Sequence, residues 1–99
     1  MAYDSLRIDD LRAALALALD AFEAERGPEI AVEHDLYWHL PVDASFDLSR
    51  EPTALTVGHV SDDLQETREL LARRGAGPAW HALSHAGGLL RLVEDAARR

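Results

Sequence analysis

Ile30-Ala31-Val32-Glu33-His34-Asp35-Leu36-Tyr37-Trp38-His39-Leu40, held between Pro28 and Pro41, decides the fold class of this chain. Its side chains alternate with period two. Ile30, Val32, His34, Leu36, Trp38 and Leu40 share one face of a strand, and Ala31, Glu33, Asp35, Tyr37 and His39 share the other. The first face is the apolar one and is expected to meet the core, with Trp38 as its anchor. The second is an acidic face on which Tyr37 is left to meet water or a partner.

Outward from this strand the period becomes helical. Before it, Ile8, Leu11, Leu15, Leu19 and Phe22 recur at steps of three and four and predict a helix ending at Gly27-Pro28. Leu6, Ala13, Leu17 and Ala21 form a second apolar strip roughly opposite, which predicts that this helix is covered on two sides, the second by another copy of the chain. After the strand, Ala54 to Val60 repeats the alternating pattern and predicts a second strand. The segment between Pro41 and Pro52 is long for a hairpin turn, and it should hold either a helical turn or a small third strand around Ser45 to Leu48.

Ser61-Asp62-Asp63 reads as a capped helix start with acids suited to the helix dipole. Leu64, Thr67 and Leu71 share one face of that helix, which ends at Arg73-Arg74-Gly75. Pro78 opens a last helix with the stripe Ala82, Leu83, Ala86, Leu89, Leu90, Val93 and Ala97. Its Gly87-Gly88 pair costs about 1 kcal/mol per residue against alanine, so another element is expected to cross close by. The expectation is one α+β domain over 1–99 in the order α-β-β-α-α, with a small antiparallel sheet of two or three strands packed against three helices.

Composition removes several function classes. The apolar run Ala13 to Leu19 is too short for a membrane helix, and Asp20 ends it. Met1-Ala2-Tyr3-Asp4 lacks the features of a signal peptide, and with no cysteine present the expected location is the cytoplasm. Net charge is −8, spread as −3 over residues 1–26, −8 over 27–66 and +3 over 67–99. Nucleic-acid phosphate is repelled by such a chain, whereas a basic protein or a cation suits its middle segment. The absence of lysine and asparagine, with ten arginines, fits a GC-rich bacterial genome.

Two groups of residues carry candidate chemistry. His81 and His85, four apart on a helix, have the spacing with which two imidazoles share a zinc-like ion. The strands would supply the missing ligands, from Glu33, Asp35 and His39 or from His34 and His59. The plainer alternative makes the helical pair edge residues of an amphipathic helix. No motif calls for an organic cofactor, so a divalent metal is the one candidate. The second group is a binding surface built from Glu33, Asp35, Tyr37 and His39 on the strand face with Asp43, Phe46 and Asp47 in the loop. The alternative there is a solvated sheet face. His34 and His59 are expected in the core, where joint protonation would loosen the domain in mild acid.

Glu33 to Pro41, Glu51-Pro52 and Leu55 to Asp63 together resemble small bacterial proteins of high-GC actinobacterial type. That resemblance implies no activity and no catalytic residue. No serine lies in a glycine-flanked nucleophile turn and no phosphate loop is present, which makes an enzyme the lesser expectation. The leading one is a homodimeric interaction module, regulatory or akin to the immunity and antitoxin proteins that neutralise basic toxins by charge. A metal- or ligand-binding protein follows, and then a small hydrolase or isomerase using a histidine–carboxylate pair.

Overall fold

The computed structural model describes residues 3–53, 55–73 and 77–99. In chain order the elements are α1 (Ile8–Arg26), β1 (Leu36–His39), α2 (Val42–Ser45), β2 (Thr56–His59), α3 (Val60–Arg73) and α4 (Ala79–Arg98). The chain is α+β, with a sheet of two antiparallel strands. Contacts divide it into two compact units, one ending at Ala31 and one spanning Val32–Arg99. No helix among the described residues is long and apolar enough to cross a membrane.

The first unit is essentially α1. Asp9 and Asp10 in its first turn and Arg26 in its last complement the helix dipole. Gly27, at φ 93°, ends it by donating its N–H to the Glu23 carbonyl. None of its residues is buried. Leu15 and Phe22 of the first strip are half-buried, and Leu6 and Leu17 of the second are exposed.

In the second unit β1 and β2 pair with the register Leu36↔His59, Tyr37↔Gly58, Trp38↔Val57 and His39↔Thr56. The expected eleven-residue strand is thus four residues long. Asp35 explains where it begins, because its polar groups serve α3 instead of a ladder. Its carbonyl accepts the Val60 N–H at 2.8 Å and its carboxylate accepts the Ser61 N–H at 2.7 Å. The cap of α3 is therefore an aspartate from far back in the chain, and Ser61, the expected cap residue, donates to it. After Pro41 the chain makes the helical turn α2, where Ser45 Oγ donates to the Val42 carbonyl at 2.7 Å. The third-strand alternative falls away among the described residues.

The two faces of β1 are the reverse of those expected. Tyr37 and His39 are half-buried, whereas Trp38 is 74% exposed and Leu36 62%. Gly58 gives the reason. A Cβ at that position would strike the Cζ and Cε2 atoms of Tyr37, so the bare backbone of β2 is the bed on which the ring lies. Hydrophobicity favours Trp38 inside, but the tyrosine has both the space and a buried partner for its hydroxyl.

α3 and α4 pack together. Among the described residues only Val60 and Asp63 are buried, at 5% and 3% exposure. The inner face of α3 runs Val60, Asp63, Glu66, Thr67 and Leu70, and Leu71 points to solvent. The inner face of α4 includes His81, Ala82, His85, Ala86, Leu89 and Val93, while Leu83 and Leu90 lie outside. Both faces are rotated from the purely apolar expectation toward polar residues, and the rotation builds the site.

Candidate metal centre

Asp63 is the most buried polar residue described, and both of its carboxylate oxygens are engaged. Tyr37 Oη donates to Oδ2 at 2.6 Å, and His85 Nδ1 lies 2.7 Å from Oδ1. A buried carboxylate is costly unless it is paired and hydrogen-bonded, and this one is satisfied from β1 and α4 together. Gly88 makes room for it. A Cβ there would overlap Asp63 Oδ2 and stand 2.5 Å from Tyr37 Oη and 2.9 Å from Asp63 Cγ. The close crossing expected at the glycine pair is real at Gly88 only; Gly87 faces open space.

Burial first, and then the hydrogen bond to Asp63, push the Tyr37 phenol up to about 12. The unfolded phenol ionises near 10. The fold therefore favours neutral Tyr37, and this stabilisation is complete below pH ~10 and lost as pH climbs toward 12. About 2 kcal/mol is expected to disappear across that window. Urea unfolding from pH 9 to 12 should show the loss in the parent chain and not in Tyr37→Phe; equal losses in both would refute it.

With Nδ1 of His85 occupied by Asp63, Nε2 is the nitrogen left for another partner. His81, one turn earlier, stands edge-on to His85 with ring centroids 4.8 Å apart. Glu66 of α3 places Oε2 3.7 Å from His81 Nδ1. One donor atom from each of Glu66, His81 and His85 lies within 4.8 Å of the others. Donors on one zinc ion sit about 3.3 Å apart, so small rotations of the half-exposed Glu66 and His81 side chains would close the set. The group borders a cleft of about 220 Å³ between α3 and α4.

The structure brings the expected pair His81 and His85 together but takes the third donor from α3, not from the strands. His34 is exposed, and half-exposed His59 pairs with Asp35 at 3.3 Å, so neither is the core residue expected and their joint protonation has no buried site to disrupt. The sequence pattern marks Asp63 only as an acid suited to the helix dipole and does not single out Glu66. The available signal was their spacing with Thr67 and Leu70, at steps of three, four and seven from Asp63, which put them on one helix face.

The seven expected binding residues have separate roles. Tyr37 points inward, correcting its expected exposure. Asp35 is a helix cap, held below the usual carboxylate range by the Ser61 N–H, then by the Ser61 hydroxyl and His59. Asp47 closes its own turn, where hydrogen bonds from Ser49 and then Arg50 lower its pKa. Glu33 lies 3.8 Å from Arg99, and the His39 carbonyl accepts from Thr56 Oγ1 at 3.3 Å. Asp43 and Phe46 are exposed. Among the described residues the Phe46 N–H donates to the Asp43 carbonyl at 3.3 Å at the end of α2, and no side-chain hydrogen bond or ion pair joins any two of the seven. No protein-family model, curated protein or solved structure matches this chain.

Proposed function

We propose that this protein binds a divalent transition metal, of which zinc fits best, through Glu66, His81 and His85. The observation that carries the reading is the buried Asp63 carboxylate on Nδ1 of His85. Metal-ligating histidines characteristically give their other nitrogen to a carboxylate, which fixes the tautomer and strengthens the donor. A bare pair of histidines four apart occurs by chance, but a histidine oriented from behind by a buried, fully bonded aspartate is a costlier arrangement. Two imidazoles and a carboxylate form a donor set suited to zinc, and three protein donors leave a position for water or a small ligand.

Calorimetric titration of untagged protein with zinc should give one site per chain, and His81→Ala or His85→Ala should abolish it. Zinc at 100 times Kd should stabilise the fold by about 2.7 kcal/mol. Absence of both heat and stabilisation would end this reading.

A second reading, a homodimeric interaction module, draws support from the outer face of the sheet. Leu36, Trp38 and Val57 are adjacent there in the β1–β2 register and at least half exposed. A two-stranded sheet is marginal alone, and this largely apolar face, which also carries His59 opposite Leu36, suits an isologous contact with its own copy. Sedimentation over a range of concentrations should reveal a dimer that Trp38→Glu dissociates; a monomer throughout would dismiss it.

A further inference from the structure

We infer that the metal centre is one half of a site for a small carboxylate, with Arg73 as the other half. The inference rests on the metal reading above and names the ligand class. The cleft at the centre is lined on one side by Glu66, Glu69, Leu70 and Arg73 of α3 and on the other by His81, Ala82, His85 and Ala86 of α4. Arg73 is its one guanidinium, and among the described residues no hydrogen bond or ion pair engages it. Glu69, four residues earlier on α3, also lines the cleft yet makes no ion pair with Arg73 among the described residues.

The charge of the lining changes sign with the metal. With neutral imidazoles, Glu66 and Glu69 outweigh Arg73 by one, so the metal-free cleft repels anions. A divalent ion turns that surplus into one positive charge, matched to a single monoanion. A carboxylate would place its oxygens toward the metal and toward the planar donor fork of Arg73, which suits that group's geometry. Leu70, Ala82 and Ala86 supply an apolar wall for a short alkyl chain. At about 220 Å³ the cleft is smaller than the ~300–1,000 Å³ of sites for drug-sized ligands, so the ligand is small.

The test uses cobalt(II) in place of zinc, because its visible absorption reports changes in its own coordination. Propionate should shift the spectrum of the cobalt-loaded protein with saturation, and should show no calorimetric binding to the metal-free protein. In cobalt-loaded Arg73→Gln the propionate affinity should fall about tenfold or more, and Arg73→Lys, which keeps the charge and loses the fork, should recover part of it. Arg68→Gln, on α3 but outside the cleft lining, should match the parent chain. Failure to load cobalt would overturn this inference and the metal reading together. Cobalt uptake with no propionate response, an unchanged affinity in Arg73→Gln, or tighter binding of inorganic phosphate than of propionate would overturn this inference alone.

Discussion

Alanine at position 88 is expected to destabilise the protein by about 2–3 kcal/mol, although alanine is the better helix former. The added methyl would occupy the space of Asp63 Oδ2 and crowd Tyr37 Oη. Neither atom can withdraw freely, because each is half of a hydrogen bond in the least exposed part of the fold. Relief requires Tyr37 to leave Asp63, or Asp63 to leave His85. Each move strands a polar group at a cost of about 1–3 kcal/mol. The adjacent Gly87→Ala is the internal control. Its Cβ meets nothing within 4 Å, so the helix-propensity gain of about 1 kcal/mol should appear in full. Urea unfolding of the two variants should therefore move in opposite directions. Equal shifts would mean that the Tyr37–Asp63 pair does not abut α4 as described.

Asp63 carries the second large effect, and two substitutions separate its roles. Asp63→Ala removes the acceptor of both Tyr37 and His85 and should cost about 2–4 kcal/mol of stability. Asp63→Asn keeps the size and one acceptor oxygen, so it should fold better, but the amide no longer strengthens the His85 donor. Its zinc affinity should fall about 10–100-fold, the range for loss of a carboxylate behind a metal-bound histidine. Calorimetry and unfolding measured on both variants give the two numbers independently. Parent-like zinc affinity in well-folded Asp63→Asn would show that the aspartate serves packing alone.

The element order and the helical histidine pair were legible in the sequence because each depends on local periodicity. The faces were harder. Alternation places Trp38 and Tyr37 on opposite sides of β1 but does not say which side is inner, and weighing hydrophobicity alone chose Trp38. The deciding facts are long-range: Gly58 as the cross-strand neighbour that admits the Tyr37 ring, and Asp63 as the buried acceptor of its hydroxyl. On α3 the expected inner residues Leu64 and Thr67 are half-buried, but Leu71 is exposed and the most buried place goes to Asp63. An aspartate becomes a core residue only when partners from two other elements converge on it, and no window of α3 contains them. Glycine was the better clue. The pair on α4 announced a close approach, although it took the neighbouring elements to show that Gly88 alone receives one.

The central claim is that Asp63 holds His85 by Nδ1 so that Nε2, with His81 and Glu66, can take a metal. Correlation spectra of the histidine ring ¹⁵N nuclei, recorded during a zinc titration, test it most directly. The predicted result is that His85 keeps its Nδ1 proton while its Nε2 shifts on coordination, with His81 responding at the same zinc equivalence. Ring signals of His81 and His85 unchanged at saturating zinc, or coordination of His85 through Nδ1, would contradict the account.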